Sequence, residues 1–176
     1  MERSRVHIIG ASGSGTTTLA RALADHWAVP HADADDYFWM PTDPPYLEKR
    51  APERRVALMR EMFVPREAWV LSGSVLGWGE EVVAECDAVV FLTLDPDERL
   101  RRLEAREVSR RAGGSFDEPA WAAFLTWARG YDDPGFQGRS RVAHEEWLAS
   151  LTQPVLRLDS ATPREGLRDA VLAWDP

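Results

Sequence analysis

The chain carries one cysteine, Cys86, one lysine, Lys49, and no surplus of positive charge. A lone thiol excludes an intramolecular disulfide and most cysteine-based metal sites, and it suits a reducing compartment. No His/Cys/Asp spacing points to zinc. A formal net charge of −8 argues against a nucleic-acid binder that works through a broad basic face. It leaves room for a phosphate site, because the field inside a cleft can oppose the overall sign. No apolar run approaches the roughly 20 residues needed to span a bilayer. The opening "MERSRVHIIG" leads straight into a strand-like segment, so neither a membrane span nor a signal peptide is expected, and the expected location is cytoplasmic. Internal repeats and low-complexity tails are lacking as well.

What is present is 176 residues, 44% hydrophobic and 28% charged, which fits a single domain, residues 1–176, large enough to bury a core. Short apolar runs at 6–9, 69–71, 88–94 and 155–158, with a weaker one at 29–33, alternate little between apolar and polar. That pattern predicts strands covered on both faces, as in a parallel sheet. Helical patterns lie between them at 16–28, 52–63, 96–109 and 118–130, with a last helix after "TPRE". Pro52 suits a first helical position, and Val56, Met59 and Phe63 share a face. Asp95 and Glu98, and likewise the threonine and glutamate of "TPRE", have capping-box spacing. Alternating strands and helices predict a three-layer α/β fold, interrupted by turn-rich stretches at 110–119 and 130–141 that look like a lid excursion.

The segment "IIGASGSGTTTLARALA" has the spacing of a phosphate-binding loop between strand and helix, with its lysine replaced by Thr16. Gly10, Ser12, Gly13, Ser14 and Gly15 allow successive backbone N–H groups to face a phosphate, and the helix start adds partial positive charge. Thr17 offers a hydroxyl to Mg2+, while Thr16 and Thr18 can donate to phosphate oxygens. The charge that a lysine would bring must come from elsewhere. An ordinary glycine-rich turn without a ligand is the competing reading of the loop.

On these residues the chain resembles the small P-loop kinase superfamily of shikimate, gluconate and nucleoside monophosphate kinases. It is most similar to bacterial adenylate-kinase-like proteins, also labelled AAA-type ATPases, with the same lysine-free "GASGSGTTT". The resemblance implies a five-stranded parallel sheet in the order 2-3-1-4-5 with a lid after the fourth strand, about residues 110–141. It also implies ATP and Mg2+ as cofactors. Within "HADADDYFW", it assigns Asp33 to the metal and Asp35 to orienting or deprotonating the acceptor hydroxyl. Asp36 is expected to cap a short helix, and His31 to be satisfied by a neighbour.

The same resemblance makes "TDPPYLEKRAPERR" the acceptor-binding element, with Lys49, Arg50, Arg54 and Arg55 available to an acidic acceptor. Gly73 and Ser74 follow the third strand, where nucleoside monophosphate kinases carry Asp-Gly and this chain has Ser72-Gly73. Tyr37, Trp39 and Trp78 are read as an aromatic wall, and Trp27, Trp69, Trp147 and Trp174 as core. Arg106 or Arg110 is expected over the adenine, and "LDSATPRE" to read it through backbone groups. Arg139 and Arg141, in a run that includes Arg129, Asp132 and Asp133, are the candidates for the missing charge, and His144 with Glu145 for a lid hinge.

Three activities follow: a kinase that transfers the γ-phosphoryl of ATP to a small-molecule acceptor, a nucleotide-binding protein without turnover, or a nucleoside monophosphate kinase. The expected partners are a nucleotide and a small acceptor, with the chain a monomer or homodimer.

Overall fold

The apolar runs become five strands, β1 (Arg5–Gly10), β2 (His31–Asp33), β3 (Trp69–Ser72), β4 (Ala88–Thr93) and β5 (Val155–Asp159). All pair in parallel, in the order β2-β3-β1-β4-β5. The computed structural model describes residues 1–43, 45–111 and 117–176, with residues 110 and 111 described by backbone only.

Side chains alternate across the sheet and feed two cores. On one face Val6, Ile8, Val70, Val90 and Leu92 pack against Leu19 and Leu23 of helix α1 (Thr16–Trp27) and Leu167 and Val171 of α8 (Arg164–Ala173). On the other, Ile9, Trp69, Leu71, Val89 and Phe91 meet Met59 of α3 (Pro52–Met62), Val82 and Val83 of α4 (Glu80–Val83) and Trp147 of α7 (Arg141–Ser150). Each sheet position is therefore buried whichever way it points, which is why the strands read as continuous apolar runs. Trp69 and Trp147 are core, as expected, and Trp27 and Trp174 are half-buried.

Two short elements, α2 (Ala34–Phe38) and α4, carry no periodic signal in the sequence. Helices α5 (Pro96–Arg111) and α6 (Glu118–Arg129), a single 3₁₀ turn at Gly130–Asp132, and α7 make the excursion between β4 and β5. The caps differ from expectation. Asp33, not Asp36, caps α2 by accepting from the Asp35 N–H at 3.2 Å. Asp95 caps α5, but the Glu98 carboxylate turns outward to Arg101 and Arg102 and does not complete a box. Helix α8 starts after Pro163 with no side-chain cap, because Thr162 lies one residue too early.

Candidate active site

Parallel pairing brings every strand's carboxyl end to one edge, where ligands of such sheets sit. The register places Asp33 beside Ser72, and Gly10 beside Leu92. The phosphate loop occupies the centre of that edge. Gly13 and Gly15 both have φ +89°, a left-handed conformation that glycine adopts readily, so each N–H can turn where an L side chain would resist. A Cβ on Gly10 would lie 2.6 Å from the Leu92 carbonyl oxygen, and one on Gly13 2.7 Å from that of Arg99. The loop is thus glycine for conformation and for close packing. Gly15 opens α1 with no side-chain cap, leaving the first-turn N–H groups to another acceptor.

The Thr17 hydroxyl donates to Asp33 Oδ2 at 2.9 Å. Ser72 Oγ donates to the same oxygen at 3.2 Å and accepts from His31 Nε2 at 2.9 Å. Burial lowers the His31 pKa, and Asp33 opposes this. One hydroxyl and one carboxylate beside a phosphate cradle form the sparse oxygen donor set that suits Mg2+, whose other ligands are phosphate oxygens and water. Among the described residues no cluster of three or more His, Cys, Asp or Glu forms a metal site made of protein alone.

Asp35 is open to solvent, yet the atoms packed around it desolvate its carboxylate. Its pKa is raised, first by that desolvation and then by Asp33 and Asp36, while Arg139 and Arg106 pull it down.

The expectation for the replacement charge divides. Arg139 donates from Nη2 to the Ser12 hydroxyl in the loop at 2.9 Å and stacks 4.7 Å from the Trp127 ring centroid. Its Nε is buried and has no partner among the described residues, and burial lowers its pKa. Arg141 turns away: Nε and Nη2 both grip Asp132 Oδ1, at 3.0 and 2.6 Å. The reason is local, since Asp132 is already fixed by Arg99 at 2.8 Å and attracts the nearest free guanidinium.

Sequence reasoning missed Arg99. It is 1% exposed, and its guanidinium bonds the Ser12 carbonyl at 3.2 Å, the Ala128 carbonyl at 3.0 Å and Asp132. One side chain ties the loop tip to the ends of α6 and the 3₁₀ turn.

Beside the loop lies a cleft of about 340 Å3 between α1, α5 and the β5–α8 connection, lined by Gly15, Thr16, Thr17, Thr18 and Arg106 together with Thr162. Arg106 and residues 160–164 of the "LDSATPRE" loop line this one cleft; the Arg110 side chain lies outside the described residues. Arg102, also unforeseen, donates to both oxygens of Ser160, whose hydroxyl donates to the Ser14 carbonyl at 2.6 Å.

On the acceptor side the wall is Phe38, Trp39 and Trp78, with Phe38 meeting their rings edge-on at 5.0 and 5.8 Å. Tyr37 instead packs into the core against Phe63. Arg50 is not turned to an acceptor: it donates to the Tyr37, Asp36 and Trp39 carbonyls and fastens the end of α2. Arg55, itself buried, turns to the aromatic wall instead. Its guanidinium lies 4.0 Å from the Phe38 ring centroid, its Nε donates to the Arg50 carbonyl, and its terminal nitrogens have no hydrogen-bond partner among the described residues. Gly73, at φ +92°, brings its backbone against Ala34 and Asp33, and Ser74 Oγ lies 3.1 Å from His144 Nε2.

A family model described as an AAA domain matches residues 6–119, from β1 through the phosphate loop and acidic edge to the start of α6. The chain belongs to this family. The uncharacterized protein YqaC of Bacillus subtilis (strain 168) is 42% identical over 162 residues, 89% of each chain. Among solved structures, a sugar kinase from Janibacter sp. HTCC2649 has a TM-score of 0.54 at 19% identity, covering 99% of this chain and 94% of that one. A gluconokinase from Sinorhizobium meliloti 1021 gives 0.54 at 17% identity, covering 97% and 90%. Shikimate kinase from Aquifex aeolicus gives 0.52 at 16%, covering 96% and 93%. This AAA-domain protein therefore has the fold of the small P-loop kinases.

Proposed function

We propose that this protein is an ATP-dependent phosphotransferase acting on a small acceptor, with Arg139 supplying the charge that a loop lysine otherwise brings. The observation that carries the reading is convergence at one sheet edge: the open glycine cradle, Thr17 on Asp33, Arg139 on Ser12, and Asp35 in the field of Arg139 and Arg106. Residues Gly10 to Thr18 would hold the polyphosphate, with Thr16 and Thr18 donating hydroxyls. Arg106 would cover the base beside residues 160–164. Mg2+, held by Thr17 and Asp33, would neutralise phosphate charge when bound. Asp35 would orient the acceptor hydroxyl and take its proton, and its raised pKa strengthens it as a base. Trp39, Trp78, Gly73, Ser74 and Arg55 would line the acceptor pocket, the arginine favouring an anionic acceptor. Residues 110–141 would act as the lid of a single domain working in the cytoplasm.

Calorimetric titration with ATP and ADP in the presence of Mg2+ tests the reading, followed by transfer assays. Saturable binding is expected; absence of heat and of thermal shift at millimolar nucleotide would overturn it.

A second reading, nucleotide binding without turnover, is favoured by Thr16 and by Arg139 being hydrogen-bonded to the loop itself. The variant Thr16→Lys separates the two, since transfer that appears only in the variant would make the native protein a binder. Nucleoside monophosphate phosphorylation is less favoured, because Ser72 directs its hydroxyl to Asp33 where those kinases carry aspartate.

A further inference from the structure

A buried hydrogen-bonded chain runs behind the acceptor loop. Ser74 Oγ lies 3.1 Å from His144 Nε2, and His144 Nδ1 lies 2.9 Å from the Tyr131 hydroxyl. His144 is fully buried, and Tyr131 nearly so. Arg139, bonded to Ser12 of the phosphate loop at 2.9 Å, lends its charge to both His144 and Asp35. On the other side, His7 Nε2 must donate to the Gly73 carbonyl at 2.7 Å, because a carbonyl has no proton to give. Two histidines from different elements therefore hold consecutive residues of the acceptor loop, one by its backbone and one by its side chain.

The polarity of the chain follows from donor accounting. His144 remains neutral, since burial and the nearby Arg139 push its pKa down to about 3. A neutral imidazole donates at one nitrogen and accepts at the other. The Tyr131 hydroxyl has no other hydrogen-bond partner among the described residues, so its phenolic proton is satisfied by donating to Nδ1. Nε2–H then donates to Ser74 Oγ, which also accepts a long bond, 3.4 Å, from the Leu76 N–H. With both lone pairs engaged, the Ser74 hydroxyl can only donate. Ser74 is half-buried, so that proton is open to solvent or to a bound molecule.

We propose that His144 and Tyr131 are positioning residues that lock Ser74 as a hydrogen-bond donor, so that the acceptor molecule must present a proton-free oxygen there: a carboxylate, carbonyl or phosphoryl oxygen. This rests on the phosphotransferase reading for the identity of the cleft, and not for the polarity of the relay. The relay explains why a histidine and a tyrosine of the excursion are buried against a loop 70 residues distant in sequence. It also makes the order of the acceptor loop depend on the seating of the 3₁₀ turn and α7.

Two measurements on the full chain test it. Long-range 15N–1H NMR of histidine-labelled protein, with His144→Gln to assign the signal among the four histidines, reads the tautomer directly. The expected result is Nε2–H for His144, unchanged from pH 5 to 8, and mixed tautomers in Tyr131→Phe. A dominant Nδ1–H tautomer would overturn the proposal.

Transfer from ATP is then measured with matched acids and polyols, glycerate against glycerol and gluconate against sorbitol. Ser74→Ala is expected to raise KM for the acid about tenfold or more with kcat little changed, as loss of a bond to a charged group implies. Ser74→Thr should rescue, and Tyr131→Phe should fall between. An unchanged KM in Ser74→Ala would overturn the proposal. A wild type that binds ATP and transfers to no member of the panel would instead remove the phosphotransferase reading, and the tautomer would decide the relay alone.

Discussion

Arg139 and Arg141 are two residues apart and, in the sequence, equally suited to replace a lysine; the structure separates them by their neighbours. Arg139 reaches Ser12, whereas Arg141, with its side chain 42% exposed, is held by Asp132. Arg139→Ala is therefore expected to cost transfer at least about a hundredfold, as removal of an arginine at a transferring phosphoryl group does, and Arg141→Ala far less. Single-turnover rates of the two variants check this. Asp35 gives a pH prediction with a definite sign. A base works deprotonated, so activity should rise with pH through an acid limb lying above the ordinary carboxylate value, because its pKa is raised. Asp35→Asn should remove that limb together with most of the activity; a limb that persists in the variant belongs to another group. Buried histidines set the pH dependence of stability. His7 is lowered from 6.5 to about 4 by burial, so the unfolded chain binds its proton first as pH falls. The stability it contributes is complete above pH 6.5 and is lost towards pH 4, about 3 kcal/mol for this residue. Urea unfolding at pH 7 and 4.5 measures the difference, and His144 acts in the same direction.

Elements differ in how plainly the sequence announces them. Four strands and five helices are legible because they are long or apolar enough for periodicity and end signals to agree. Helices α2, α4 and α7 are not: "ADDYF" and "EEVV" are about one turn each and are helical only because they dock on the rest of the fold, and α7 (Arg141–Ser150) follows a turn-rich stretch that masks its start. The phosphate loop is the most legible element, since its glycines are dictated by geometry. Gly13→Ala would place a Cβ 2.7 Å from the Arg99 carbonyl at a left-handed φ, so a loss of about 1–3 kcal/mol is expected, with nucleotide binding impaired. Thermal denaturation and titration of the variant measure both effects. Arg99 shows the opposite case. In "DERLRRLEAR" it looks like any arginine on a solvated helix, and nothing local distinguishes it from Arg101. Its role comes from three carbonyl and carboxylate oxygens of distant segments converging on one point. Arg99→Met should leave Asp132 without its buried partner and cost about 3–5 kcal/mol, more than the loss of an exposed pair such as Arg60 with Glu81.

For the molecule as a whole, the sheet order and the carboxyl edge fix where a ligand sits, and the chain's own departures fix how it is held. A net charge of −8 is compatible with a polyphosphate site because arginines 99, 102, 106 and 139 gather around the loop and its cleft. The side chains that converge on the loop come from α5 and from the segment between the 3₁₀ turn and α7, all within the excursion, so binding there should stabilise the loop and the excursion together. ATP with Mg2+ at a hundred times its Kd is expected to add about 2.7 kcal/mol to the stability of the fold. The central claim is that backbone amides and one borrowed guanidinium hold a polyphosphate without an ammonium group. Calorimetric titration of ATP with Mg2+ into the native chain and into Arg139→Ala tests it most directly. Saturable binding by the native chain is expected, weakened at least about tenfold in the variant, as loss of a charge-assisted contact entails. Equal affinities in the two proteins, or no heat from either at millimolar nucleotide, would contradict it.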